Sequence, residues 1–170
     1  MLRIKTIRTL AFFCALSIAA ATQADIRVRF VEGAPKDKFH FENTGKCTVS
    51  DSTVLLDLST AQGKLIFDVT SQGDGVDVFQ PFEMVEGNDV LATLPTVRDG
   101  HSQIKLEIAS FTPKATFAFT IDVDDTLGQR GITVSGAEIQ GATVSYVNEG
   151  QKETAVFSAN SEALLVVSDC

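Results

Sequence analysis

The sequence is poor in the residue types that many active and binding sites use. Its 170 residues include no tryptophan, one tyrosine and two histidines. Sugars commonly stack on exposed Trp or Tyr rings, so a chain that holds only Tyr146 is a poor candidate for a stacking lectin. His40 and His101 lie in no metal-binding spacing and in no nucleophile motif. The sequence therefore predicts a protein that is not an enzyme.

Basic residues are also scarce. The chain has 14 Lys and Arg against 22 Asp and Glu, for a formal net charge of −8. Three of the basic residues and none of the acidic ones lie within residues 1–24, so the rest of the chain is still more acidic. Its densest basic group is Lys36 and Lys38 on either side of Asp37. Because phosphate binding needs clustered Lys and Arg, we exclude nucleic acid as a partner.

Residues 1–24 have the three parts of a secretory signal. These are a basic start at Arg3, Lys5 and Arg8, an apolar run over residues 10–21, and small residues at Thr22 and Ala24. The apolar run is shorter than the roughly 20 residues that a membrane-spanning helix needs. We therefore expect cleavage before Asp25, a single domain over residues 25–170 with no membrane span, and a secreted or periplasmic location.

Two cysteines follow the predicted signal, Cys47 and Cys170. Disulfides form in oxidising compartments, so we predict a bond between these two residues. Closing such a long loop would stabilise the fold by about 4–5 kcal/mol on the chain-entropy model. Two free thiols, or an intermolecular bridge through Cys170, are alternatives that the sequence leaves open.

Short runs in which apolar and polar residues alternate dominate the rest of the chain. The apolar members are Ile26, Val28 and Phe30; Phe39 and Phe41; Val54, Leu56 and Leu58; Leu65, Phe67 and Val69; Ile104, Leu106 and Ile108; Phe117, Phe119, Ile121 and Val123; Ile132 and Val134; Val144 and Tyr146; and the run 163–167. Turn residues separate these runs, and no sustained helical stripe occurs. The pattern predicts about ten strands in an all-β, antiparallel two-sheet sandwich, either immunoglobulin-like or jelly-roll.

Three carboxylates follow one of these strands, at Asp122, Asp124 and Asp125. In an extended strand Asp122 and Asp124 project from the same face. Like charges this close are costly unless a cation offsets them, and hard cations such as Ca²⁺ prefer oxygen ligands. We therefore predict a Ca²⁺ site there. The alternative is a solvated acidic turn whose side chains accept local backbone hydrogen bonds.

A second acidic stretch, Asp74 and Asp77 around Gly75, follows Asp68 on the preceding predicted strand. Glycine next to aspartate is common in connections, so an ordinary turn is the favoured interpretation. We assign no ligand role to this stretch.

Several segments resemble small secreted bacterial proteins of the "aggregation factor core" family. They are residues 24–30 (ADIRVRF), 32–37 (EGAPKD), 65–70 (LIFDVT), 78–83 (VFQPFE), 119–126 (FTIDVDDT) and 133–144 (TVSGAEIQGATV). The last two are also similar to the end modules of larger extracellular and sponge adhesion proteins. The resemblance implies an extracellular β-rich module in cell–cell or cell–surface adhesion, with dependence on Ca²⁺. The implied partner is an extracellular or surface protein, a glycan, or a second copy of the chain.

Glu138 lies in residues 136–139, the segment that begins after the next predicted hairpin, which makes it a fourth candidate ligand beside the three aspartates. The leading hypothesis is thus a secreted, non-enzymatic β-sandwich in cell aggregation or adhesion. One alternative is a periplasmic or secreted accessory domain that binds a protein partner through an exposed strand edge. A third, a hydrolase built on paired carboxylates, lacks any sequence feature that selects a pair.

Overall fold

The computed structural model describes residues 24–71, 79–127 and 134–168. The predicted signal up to residue 23, the stretch that holds Asp74 and Asp77, and Cys170 lie outside these ranges. Within them the chain forms eleven strands and one helical turn. Their bounds are β1 Ala24–Val31, β2 Asp37–Asn43, β3 Val49–Asp57, β4 Leu65–Asp68, β5 Glu83–Glu86, β6 Leu91–Thr93, β7 Gln103–Phe111, β8 Thr116–Asp125, α1 Gly136–Ile139, β9 Thr143–Asn148, β10 Gln151–Val156 and β11 Glu162–Val167.

The strands form two antiparallel sheets. One sheet has the order β11-β1-β2-β8-β4, and β5 also pairs with β8. The other has the order β10-β9-β3-β7-β6. The predicted all-β, two-sheet sandwich is confirmed.

Alternation along the strands builds the core between the sheets, as a pleated strand requires. In β1 the residues at every second position from Ala24 to Phe30 are buried, and the intervening ones are not. Aromatic rings fill much of this space, because eight phenylalanines are almost fully buried: Phe30, Phe39, Phe41, Phe67, Phe111, Phe117, Phe119 and Phe157. Such rings take over the volume that tryptophan often fills.

The predicted strand at Ile132 and Val134 is only partly covered by the described residues. Val134 is buried and has no strand pairing; it leads into the single helical turn α1. In the described ranges, no helix is long and apolar enough to cross a membrane.

Cys47 lies in the loop between β2 and β3, where it is half-buried and packs against the core. Its predicted partner Cys170 is outside the described residues. The disulfide therefore stays a prediction.

Candidate metal centre

Two neighbouring strands bring three aspartates together. β4 pairs with β8 in antiparallel register, with Asp68 directly opposite Asp122 and Ile66 opposite Asp124. Side chains at opposite and diagonal positions of such a ladder share one face and lie close together. One carboxylate oxygen from each of Asp68, Asp122 and Asp124 lies within 4.8 Å of the other two. We call these three residues the acidic triad.

The acidic triad sits at the boundary between core and solvent. Asp68 is only 2% exposed, whereas Asp122 and Asp124 are half-buried. Burial, together with the charges of Asp124 and Asp68, raises the pKa of Asp122 from 3.8 to about 7. Near neutral pH the charges of the neighbouring carboxylates make ionisation of Asp122 costly, and a bound cation would offset that cost.

The spacing of the oxygens suits a single hard cation. Ca²⁺ binds oxygen at about 2.3–2.6 Å, so two ligands on opposite sides of the ion lie about 5 Å apart. Three side chains supply at most six oxygens if each binds through both, and Ca²⁺ takes about six to eight. Water or a ligand from a partner would complete the coordination.

Asp37 provides a fourth carboxylate at the neighbouring end of β2. Its two oxygens accept hydrogen bonds from the backbone N–H groups of Gly33 at 3.0 Å and Val123 at 3.2 Å. The Val123 bond continues the β2–β8 pairing beyond its last backbone partners, Asp37 and Ile121. Asp37 thus ties the loop before β2 to the strand that carries Asp122 and Asp124.

Asp37 is also electrostatically linked to the triad. Burial, opposed by the Gly33 hydrogen bond and reinforced by the charge of Asp122, raises the pKa of Asp37 from 3.8 to about 7. Two carboxyl groups, Asp37 and Asp122, therefore titrate in the same range. A cation at the triad would favour the ionised form of both.

The other two predicted ligands, Asp125 and Glu138, line a surface cleft and do not belong to the acidic triad. Asp125 and Glu138 line a shallow cleft of about 210 Å³, together with Gln62, Gly63, Leu127 and Ala137. By strand alternation Asp125 projects from the opposite face of β8 to Asp124. The structure therefore groups Asp122 and Asp124 with Asp68 and places Asp125 and Glu138 at the cleft.

A local capping interaction holds the Glu138 carboxylate. Its oxygen accepts hydrogen bonds from the backbone N–H and the hydroxyl of Ser135, both at 2.6 Å. Ser followed three residues later by Glu is a known signature of a helix start. That spacing, present in the sequence at Ser135 and Glu138, could have predicted the turn α1 and this role for Glu138.

Asp68 is the member of the triad to which sequence reasoning assigned no ligand role. The alternation of residues 65–69 predicts its strand but does not predict which strand lies beside it. The only available signal was that Asp68 lies near the end of one predicted strand, while Asp122, Asp124 and Asp125 lie near the end of another. That signal is too common to select Asp68.

The histidines do not join the acidic triad. His40 lies half-buried in β2, opposite Arg29 and Ala118, and its Nδ1 is buried without a hydrogen-bond partner. His101 is exposed in the loop before β7. The triad is the one group of three or more His, Cys, Asp or Glu side chains with metal-compatible spacing in the described parts of the chain.

Fold and site together define a β-sandwich with a candidate hard-cation site on an outer face. Comparison of the chain with protein-family models, with curated proteins and with solved structures gives no match. What the protein does is therefore inferred from the sandwich and the acidic triad.

Proposed function

We propose that the protein is a secreted, non-enzymatic β-sandwich module that acts in cell adhesion or aggregation and binds Ca²⁺ at the acidic triad. The observation that carries this proposal is the convergence of the Asp68, Asp122 and Asp124 oxygens within 4.8 Å. The secreted location is supported by the signal pattern of residues 1–24.

The acidic triad is suited to an ion that also binds a partner, either a glycan or a surface protein. Asp122 and Asp124 are only half-buried, so solvent and partners reach one side of the site. An ion held through one oxygen of each carboxylate keeps coordination positions open, because Ca²⁺ takes about six to eight oxygens. A hydroxyl of a glycan or a carboxylate of a surface protein would fill such a position.

The ion would also connect two parts of the sheet. β4 is a strand of four residues, and Asp68 is its last residue. Neutralising the repulsion between Asp68 and Asp122 would strengthen the β4–β8 pairing. Ca²⁺ binding and the order of this sheet edge are therefore expected to rise together.

Calcium titration by calorimetry tests the site directly. We expect one ion per chain, with a Kd of about 10⁻⁴–10⁻³ M, the range of extracellular Ca²⁺ modules. The Asp122→Asn variant should abolish the binding heat, whereas Asp89→Asn, which removes an exposed carboxylate in the turn after β5, should not. Equal loss in both variants, or no heat in the wild type, would exclude the site.

Bead clumping tests the adhesive role. Beads coated with the mature protein are mixed with each other and with cells, in Ca²⁺ or in a chelator. We expect clumping or capture only in Ca²⁺, and none with beads that carry Asp122→Asn. Beads that bind Ca²⁺ without clumping or capturing cells would retain the ion site and reject adhesion.

Two of the sheet edges, β5 and β6, give little support to partner binding by strand addition, whereas the outer strands β10 and β11 have six residues each. β5 has four residues with a register shift between Met84 and Glu86, and β6 has three residues. β5 carries two exposed glutamates, Glu83 and Glu86. Short, bulged and charged edges are the means by which proteins prevent pairing with other chains.

A further inference from the structure

The predicted cleavage site lies inside the first strand of the sandwich. β1 begins at Ala24, so the peptide bond between Ala24 and Asp25 belongs to that strand. Ala24 is 0% exposed and occupies a core-facing position, as does Ile26. A protease that removes the signal at this bond has to reach a segment that the folded protein buries.

The last strand of the chain covers this bond. Ala24 pairs with Val167 of β11, and Asp25 pairs with Val166. The pairing of β1 with β2 begins only at Ile26, opposite Asn43.

A second group of contacts holds the other side of the bond. The backbone N–H of Thr44 donates to the Asp25 carbonyl oxygen at 2.7 Å, and the Thr44 hydroxyl donates to the same oxygen at 3.0 Å. Thr44 belongs to the loop directly after β2, and therefore precedes β11 by more than one hundred residues in the sequence. The contact that comes last in chain order is therefore β11.

We propose that docking of β11 closes the processing site, so that the signal is removed before β11 pairs with β1. A protease needs its substrate segment unpaired, and a paired strand is cut only when it opens locally. When a chain is exported from its N-terminus, β11 arrives after every other described strand of the sandwich. The proposal rests on the signal, and hence on the secreted location in the proposed function.

The order in which enzyme is added tests the proposal. Full-length precursor is diluted from urea either into buffer that already contains signal peptidase or into buffer alone, with the enzyme added after refolding. We expect the first sample to yield chains that start at Asp25 and the second to be processed at least about tenfold more slowly, since cleavage then depends on the open fraction. A refolded precursor cut as fast as a peptide of residues 15–32 would overturn the proposal.

Two neighbouring valines provide matched variants. Val167 is 0% exposed and pairs with Ala24, whereas Val166 is 41% exposed and pairs with Asp25. We expect Val167→Asp to make the refolded precursor cleavable. Val166→Asn, which adds a polar group without placing a second carboxylate opposite Asp25, should leave the precursor resistant. Val167→Ala is the milder variant, for use where Val167→Asp does not fold, and it should be cut faster than the wild type while circular dichroism still reports the sandwich. Val167 variants as resistant as the wild type would contradict the proposal.

The controls separate this inference from the proposed function. If neither the peptide nor the unfolded precursor is cut, the signal assignment fails, and the secreted location fails with it. If both are cut and the refolded precursor is cut equally well, only the role of β11 fails.

Discussion

Strand β8 differs sharply between its two halves. In the first half Phe117 stacks on Phe41, with ring centroids 4.4 Å apart, and Phe119 stacks on Phe39 at 5.3 Å. In the second half Asp122 and Asp124 crowd against Asp68. The aromatic half releases free energy on burial, whereas in the acidic half burial and the charges of Asp124 and Asp68 make Asp122 harder to ionise. In this strand the free energy gained by burying the aromatic half offsets the cost of bringing carboxylates close together at its end.

The largest effect is expected in the aromatic half. Phe119 is fully buried and its ring lies within 6.0 Å of Phe39, Phe41 and Phe82. Phe119→Ala should lower the free energy of unfolding by about 3–5 kcal/mol, through lost burial and the cavity left behind. Urea denaturation measures the change. Phe79→Ala is the control, because Phe79 is 74% exposed, and it should change stability by less than about 0.5 kcal/mol.

Calcium should act on the acidic half with a smaller effect. With a Kd of about 10⁻⁴–10⁻³ M, about 10 mM Ca²⁺ stabilises the folded protein by about 1.4–2.7 kcal/mol. For a domain of this size that raises the Tm by about 3–10 °C. Differential scanning calorimetry measures the shift, which should vanish in Asp124→Asn and persist in Asp89→Asn. The same shift in Asp124→Asn would show that the ion acts elsewhere.

Stability without Ca²⁺ should fall as pH rises from about 5 to 8. Asp37 and Asp122 have pKa values raised from 3.8 to about 7, so over this range the folded state binds more protons than the unfolded state. Raised carboxyl pKa values contribute stability that is complete at low pH and is lost as pH passes through about 7. Thermal unfolding in a chelator at several pH values measures the trend, and Asp122→Asn should flatten it. A Tm that rises over this range would contradict the assignment.

The smallest effect is expected at a buried hydroxyl in the other sheet. Ser52 is 6% exposed, and its oxygen has no hydrogen-bond partner. Ser52→Ala should therefore leave stability unchanged or raise it slightly, because it removes an unpaired polar group. Ser145→Ala is the matched variant: its hydroxyl bonds to that of Thr154 at 2.8 Å, so its loss should cost about 1 kcal/mol. Equal losses in both variants, measured by urea denaturation, would indicate that Ser52 does have a partner.

Strand prediction from the sequence succeeded where one face of a strand is buried. Along most of their length β1, β3, β7 and β8 alternate between core and surface, and their apolar residues mark them directly. No strand was predicted at β5, β6 or β10. β5 has no buried residue, and every second residue of β10 is exposed while the others are only half-buried. Their positions depend on neighbouring strands, so a local pattern does not reveal them.

The candidate site was predictable in part. Asp122 and Asp124 share a face because alternation within one strand places them there. Asp125 and Glu138 were grouped with them by position near a strand end, but Asp125 is one residue out of phase, and Glu138 is held by Ser135. The strand phase of Asp125 and the Ser135 contact of Glu138 both place these side chains away from the acidic triad. Closeness in the sequence therefore did not predict closeness of the side chains.

The sequence by itself determined a two-layer β architecture, its aromatic core and the acidic end of β8, because period-two alternation is a local property of the chain. Only the tertiary structure decided that Asp68 joins Asp122 and Asp124, that Asp37 continues the β2–β8 pairing, and that β11 covers Ala24. Those contacts join residues far apart along the chain. Which strands become neighbours depends on how the whole sandwich buries its apolar faces, and no single segment carries that information.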